Sequence, residues 1–253
     1  MEVLVVGNTA YVDDDFCAKA FPGDHVKVVA AQEARRDESS PHASWKELLQ
    51  HLEQAYEFDR VVYLSNYLTP HTDTVGDIEL LRSVFRTCAG RRVQLLYVAG
   101  PAGAEGAADA AGRTGKGIIA HAANDLCRYY AAREGVQTKI LRVPFLYTAS
   151  AALEDPFLVP MFDACSTGSA ALQGAQDAAF PLLCAEELSV LVRRIFDSWD
   201  GNFETLDVAD TFHHTVGEVG EALQALFPGL SVAYGESAGY ALPVSDVARV
   251  RYG

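Results

Sequence analysis

The sequence predicts a doubly wound α/β fold: a parallel sheet with helices on both faces, followed by a small C-terminal α/β lobe. Three observations lead there. Short apolar runs, MEVLVV, VKVVAA, RVVYLS, QLLYVAG and KILRVPFLY, recur between Met1 and Tyr147. Their apolarity is continuous rather than alternating, as in strands buried on both faces. Segments with helical spacing separate them, and repeated β-α-β units wind into one sheet through right-handed crossovers.

The elements follow in order. The first strand ends at Gly7 and enters the turn GNTAYVDDD. Ser44 to Tyr56 has helical spacing, and Ser44 with Glu47 forms the pair of a capping box. The helix Val75 to Cys88 carries one apolar stripe, Leu80, Leu81, Val84 and Phe85. Residues 101–116, PAGAEGAADAAGRTGK, lack apolar periodicity and predict a flexible loop. Ile118 to Arg133 is a helix whose Tyr129-Tyr130 pair is expected to put one ring in the core and leave one hydroxyl exposed. After Tyr147 the strict alternation stops. A short helix is expected near Val159 to Cys165. FPLLCAEELSVLVRRIFDSW then predicts a strand and a helix opened by Ala-Glu-Glu, ETLDVAD a strand, and TVGEVGEALQALFPG a helix. The expected division is 1–147 for the sheet domain and 148–253 for a lobe stitched onto it. There is no internal repeat and no low-complexity segment.

Composition bounds the class. A chain of 253 residues is long enough for one large α/β domain. With 49% hydrophobic and 21% charged residues it reads as an ordinary globular protein. A net charge of −14 argues against nucleic acid or an anionic membrane as partner. No apolar run reaches the roughly 18 residues that span a bilayer. The N-terminus enters a strand with no basic segment before it, so no signal peptide is expected. Cys17, Cys88, Cys127, Cys165 and Cys184 are scattered, odd in number and never in CxxC spacing. That pattern predicts reduced thiols in a cytoplasmic protein.

Five segments stand in a telling order: FDRVVYLS, DTVGDIELLRSVFRTC, NDLCRYYAAREGVQTKILRVPFLY, FPLLCAEELSVLVRRIFD and TVGEVGEAL. In that order they resemble the extended short-chain dehydrogenase/reductases, the NAD-dependent epimerases and dehydratases of nucleotide sugars, over nearly the whole chain. The resemblance implies a Rossmann-like sheet with a C-terminal substrate lobe. SDVARVRYG resembles a family segment that normally runs on into a last helix. This gives the expectation that the chain is a piece of a longer polypeptide with a fused domain downstream.

The catalytic residues of that family do not carry over. Its members place a Ser or Thr after a central strand and a Tyr four residues before a Lys, which lowers the Tyr pKa for proton transfer. Here Ala99, Gly100 and Pro101 stand at the Ser position. Aligning Asp125 with the family's helix Glu puts Gly117 at the Tyr and His121 at the Lys. No Tyr-x-x-x-Lys occurs anywhere in the chain; four residues before Lys116 is Gly112. Gly100 and Gly117 cannot act as acid or base. His121 is the one ionisable side chain at these positions, but it has no Tyr to relay to.

The expected cofactor loop is Gly7, Asn8, Thr9, Ala10, Tyr11 and Val12. In the family a GxxGxxG turn lets the backbone approach the pyrophosphate, which sits at a helix N-terminus. Gly7 is kept, Ala10 replaces the second glycine and Asp13 the third, with Asp14 and Asp15 beside it. A carboxylate about 4 Å from a phosphate costs about 1 kcal/mol in water and roughly 4 at a partly buried site. The favourable helix-end interaction is only about 0.3–1 kcal/mol per charge. Repulsion wins if these carboxylates face the site. The simplest role for the three is capping a helix on a solvated face, and that too puts the protein's own carboxylates in the anion position. The second strand lacks a clear ribose-binding acid, with Glu33 one or two places late. Arg35 and Arg36 suit a 2′-phosphate, favouring NADP over NAD, or simply a solvated basic pair.

Other constellations are weaker. His213 and His214, adjacent on a strand, would point to opposite faces and not share a metal. His71 with Asp73 and Asp77 lies near a strand end, where substrates bind in such folds. Arg113 and Lys116 lack a GxxxxGK[ST] context. The expectation is a catalytically degenerate domain with a regulatory, sensory or scaffold role. It needs no cofactor and no metal and is open to a nucleotide or nucleotide-sugar ligand. One alternative is an active NAD(P)-dependent epimerase, dehydratase or reductase with rearranged chemistry around His121. The other is a homodimerisation module built on the helices Val75–Cys88 and Ile118–Arg133.

Overall fold

The computed structural model describes residues 1–30, 57–65, 74–100, 115–148, 158–172, 174–180, 182–208, 214–236 and 249–250. In chain order the elements are β1 (Glu2–Gly7), α1 (Asp14–Ala20), β2 (His25–Ala30), β3 (Arg60–Leu64), α2 (Thr74–Cys88), β4 (Gln94–Ala99), α3 (Gly115–Arg133), β5 (Gln137–Arg142) and β6 (Phe145–Tyr147). They continue with α4 (Leu158–Ser166), β7 (Ser169–Leu172), β8 (Leu182–Cys184), α5 (Ala185–Asp197), β9 (Phe203–Val208), α6 (Val216–Leu226), β10 (Ser231–Tyr234) and β11 (Arg249–Val250).

One seven-stranded sheet runs β11-β9-β5-β4-β3-β1-β2, and every pairing in it is parallel. The central strands are apolar throughout because both faces are covered. Val3 and Val5 face one core with Phe16 of α1 and Leu188, Leu191 and Val192 of α5. Leu4 and Val6 face the other with Leu81, Val84 and Phe85 of α2 and Ala123 and Cys127 of α3. Tyr130 stacks on Phe85 at 4.7 Å while Tyr129 stays exposed, as the sequence predicts for that pair. These are the layers of a doubly wound Rossmann-like sheet.

The differences from expectation have local causes. KILRVPFLY is not one strand: β5 stops at Arg142, and Pro144, which has no N–H to donate, separates it from β6. β6 pairs instead with β8 in a small separate sheet. The C-terminal half contributes β9 and β11 to the main sheet. β7 and β10 pair over a third cluster that includes Cys165, Phe180, Val216 and Leu223. Helix α3 begins at Gly115, inside the stretch expected to be loop, while 101–114 fall outside the described residues, as do Ser44–Tyr56, Arg35 and Arg36. His214 is not on a strand: it precedes Thr215, the N-cap of α6, whose hydroxyl accepts from the Glu218 amide at 3.1 Å. His213 is outside the described residues.

Two buried polar groups fix the sheet against its helices. The Tyr63 hydroxyl donates to the Asp77 carboxylate at 2.6 Å, and both residues are buried. Asp77 is therefore an anchor for the first turn of α2 rather than an open contact. His71 and Asp73 lie outside the described residues. Lys139 of β5 reaches Asp200 at 2.9 Å and Glu204 at 2.5 Å, and its ammonium sits 5.4 Å from the Trp199 ring centre. Trp199 stacks on Phe196 at 5.3 Å, and the Arg60 guanidinium lies 5.1 Å from the Phe196 centroid. This arrangement of two cations and two rings lies under the C-terminal end of α5.

Candidate functional site

The strand order reverses between β1 and β3, so the loop after β1 opens at the switch point of the sheet, where ligands bind in this architecture. Gly7 makes that junction. Its φ is +109°, and a Cβ there would stand 2.1 Å from the Leu64 carbonyl oxygen. The Asn8 amide donates to the same oxygen at 2.8 Å. No residue but glycine fits, for both backbone conformation and space.

Beyond Gly7 the loop turns inward. Asn8 is fully buried, and its Oδ1 accepts from the Ala10 amide at 3.2 Å. Its Nδ2 is buried without a hydrogen-bond partner among the described residues. The Val12 amide closes a turn on the Thr9 carbonyl at 3.0 Å. Tyr11 and Val12 are buried in the core beneath α1. Asp13 is the N-cap of α1: its Oδ1 accepts from the Phe16 amide at 2.8 Å. The capping role expected from the residue types is the one the chain uses. Asp14 and Asp15 are exposed in the first turn, and Lys19 bonds Asp15 at 2.5 Å. Burial pushes the Cys17 thiol up, with Asp14 and Asp13 adding to the shift.

The facing wall comes from far along the chain. Helix α1 packs on α5 through Phe16 and Phe21, the latter 5.9 Å from Phe196. That packing brings the start of α5 to the start of α1. The small cleft between them is lined by Tyr11, Asp13, Asp15, Phe16, Thr148, Ala185 and Glu186. Cys184 precedes α5; its amide donates to Glu187 at 3.2 Å and its thiol donates to the Glu186 carboxylate. Burial and then the bond to Glu186 raise the Cys184 pKa, so the thiol stays protonated and unreactive at neutral pH. Burial also raises the Tyr147 hydroxyl, reinforced by Cys184 and Glu187. The sequence predicts only a helix start at Ala-Glu-Glu; the acidic pair after a short strand is the signal for its place in the cleft.

The described residues of this loop offer little to a dinucleotide's pyrophosphate. The missing Cβ of Gly7 makes room for the Leu64 carbonyl rather than for a ligand, and the Phe16 amide is already taken by Asp13. Three carboxylates, Asp13, Asp15 and Glu186, line the cleft, and the nearby Lys19 is held by Asp15. The α1 helix has only seven residues, ending at Ala20. Among the described residues, no side chain in this wall would neutralise two phosphates.

None of the other expected positions lines this cleft. Gly100 follows β4 directly, Gly117 falls in the first turn of α3, and His121 is exposed one turn later. Arg142 and Asp207 meet across the ends of β5 and β9, Nε to Oδ1 at 2.6 Å and Nη2 to Oδ2 at 2.8 Å. Among the described residues no group of His, Cys, Asp and Glu is arranged to hold a metal ion, and no helix is long and apolar enough to cross a membrane.

No protein-family model matches the chain, and no curated protein matches it. Solved structures do. A UDP-glucuronic acid 4-epimerase from Bacillus cereus in complex with NAD superposes with a TM-score of 0.66 at 11% identity, over 97% of this chain and 94% of its own. A UDP-glucose 4-epimerase from Thermotoga maritima with UDP-glucose gives 0.63 at 12%, over 98% and 88%. A dTDP-glucose 4,6-dehydratase from Streptomyces venezuelae with NAD bound gives 0.66 at 12%, over 96% and 88%. The chain therefore has the fold of the extended short-chain dehydrogenase/reductases, the fold its segment order resembles.

Proposed function

We propose that this chain is a catalytically degenerate domain of that fold, with a regulatory, sensory or scaffold role and no bound nicotinamide cofactor. The observation that carries the proposal is the hydrogen bond from the Phe16 amide to Asp13, which fills the anion position with the protein's own carboxylate. The missing Tyr-x-x-x-Lys supports it, since proton transfer at the sugar needs that pair in the fold's enzymes. The ligand class left open is a nucleotide or nucleotide sugar held on the side of the C-terminal lobe, as UDP-glucose accompanies the Thermotoga maritima epimerase. The protein is cytoplasmic in this reading.

The test is an assay of purified protein with UDP-glucose, UDP-glucuronic acid and dTDP-glucose, each with NAD and with NADP. The expected result is no change at 340 nm and no altered sugar by proton NMR, which resolves epimers of equal mass. Turnover would establish the active-enzyme alternative, and loss of that turnover in His121→Ala would assign the role to His121. A homodimer through α2 and α3 is a separate part of the proposal, supported by the exposed Tyr129 on α3. Light scattering checks it, and a clean monomer at high concentration removes it.

A further inference from the structure

We propose that the face of the C-terminal lobe where α4 meets α6 is a docking surface for a basic amphipathic helix of a partner protein. The proposal deepens the scaffold reading and rests on it. Charge is divided unevenly along the chain. Residues 1–147 hold 16 Lys and Arg against 19 Asp and Glu, while residues 148–253 hold 4 against 15. No lysine follows Lys139. The elements over the third core cluster, α4, β7, α6 and β10, contain no Lys or Arg. A lobe that carries most of the net charge of −14 is matched to a cation-rich partner.

An exposed apolar strip marks where such a partner sits. Leu226 is 65% exposed, the highest value among the large apolar side chains described, and Phe162 is 36% exposed. The Phe162 ring lies 5.8 Å from that of Phe227, the residue after Leu226, so α4 and α6 bring their apolar side chains to one corner. Val219, Ala222 and Leu226 recur at three- and four-residue spacing and fall within about 60° of one another around α6. Buried Leu223 lies on one side of that stripe; Glu218 and then Glu221 lie on the other. Asp163 follows Phe162 on α4. The result is an apolar strip edged by carboxylates.

The charges select the occupant. A second copy would bring the same carboxylates and no Lys or Arg to the contact, so two such faces repel. Nucleic acid and an anionic membrane are repelled in the same way. A helix with leucines on one face and lysines along its borders meets both the strip and its edges. Covering Leu226 and Phe162 supplies affinity, and the carboxylates supply orientation and encounter rate.

The probe is a synthetic helix of about 18 residues with leucines at i, i+3, i+4 and i+7 and lysines elsewhere, titrated by calorimetry. Phe162→Ser with Leu226→Ser is expected to weaken its binding at least about 10-fold. A peptide of the same composition with leucines scattered around the helix should bind the natural chain at least about 10-fold more weakly. Asp163→Asn, Glu218→Gln and Glu221→Gln together are expected to cost about 5-fold and to flatten the salt dependence. Gln at position 218 keeps the capping bond to the Thr215 amide. Neutralising exposed Glu57, Asp125 and Glu134 matches the change in net charge and should cost less than about 2-fold.

Absence of binding overturns the proposal. Equal affinity for the scattered peptide, or an equal loss in the charge control, also overturns it, because either shows undirected attraction. Self-association of the natural chain that Leu226→Ser abolishes overturns it too, by giving the face to a second copy. If the double serine variant fails to fold, Leu226→Ser alone decides: a loss of about 3-fold or more supports the surface, and a smaller one overturns it. None of these readouts is sugar turnover, which is the result that overturns the non-catalytic reading, so the two failures are distinguishable.

Discussion

The Leu64 carbonyl oxygen stands 2.1 Å from the point where a Cβ on Gly7 would lie, and the Asn8 amide bonds that same oxygen at 2.8 Å. The end of β1 is thus tied to the end of β3 by a contact that only glycine permits. Gly7→Ala adds a methyl group against backbone and forces a left-handed φ on an L residue. The variant is expected to lose about 2–4 kcal/mol of stability. Urea unfolding followed by circular dichroism checks it, and a loss below about 1 kcal/mol would show that the two strand ends separate easily.

Lys139 predicts an alkaline limit to stability. Burial opposes its charge, but hydrogen bonds from its ammonium to Glu204 and Asp200 outweigh this and hold its pKa above the ordinary 10.5. A raised pKa stabilises the fold fully below the unfolded value, and the contribution disappears as pH rises through the folded value. Asp200, lowered by the same bond, contributes above its ordinary 3.8 and loses that contribution as pH falls. Unfolding free energy measured from pH 9 to 12 should therefore fall more steeply in the natural chain than in Lys139→Gln. Parallel curves would contradict the ion pair.

Arg142 and Asp207 form a two-pronged pair across matched positions of β5 and β9, with both side chains largely covered. Asp207→Ala leaves the guanidinium without its carboxylate and is expected to cost about 2–4 kcal/mol. Arg142→Lys keeps the charge but not the fork, and should cost about 1–2 kcal/mol. Equal losses in thermal unfolding for the two variants would show that only charge matters.

Tyr63 is buried against Asp77, and burial, then the nearby carboxylate, raises its hydroxyl well above the ordinary 10. Its stabilisation is present below the unfolded value and is lost as pH rises toward the folded one. Absorbance at 295 nm should show at least one tyrosine that ionises only when the chain unfolds. Tyr63→Phe removes the donor to a buried carboxylate and is expected to cost about 1–3 kcal/mol. A smooth titration of every tyrosine before unfolding would contradict the buried bond.

The legible parts of this protein were those whose causes are local. Continuous apolar runs identified the inner strands because a doubly covered strand has no polar face to show. Asp13 before a helix identified its own N-cap, since a short carboxylate reaches the third amide onward whatever surrounds it. The Tyr129-Tyr130 pair resolved as expected because adjacent helical residues point about 100° apart. Less legible were segments set by partners. β7 and β10 are short and half-exposed, and they are strands because each supplies the other's hydrogen bonds. Pro144 ends β5 by a local cause, but the pairing of β6 with β8 has no signature in either segment.

The sequence by itself determined the sheet, the glycine at its switch point and the three aspartates that follow. Those depend on backbone conformation, apolar pattern and capping, all of which act within a few residues. The tertiary structure alone decided that Glu186 faces Asp13 and Asp15, and that Asp77 is a buried anchor instead of an open contact. Both depend on how helices seat on the sheet. α5 is fixed over α1 by Phe16, Leu188, Val192 and Phe196, and the packing of those apolar side chains sets where a charged residue at the helix start must stand.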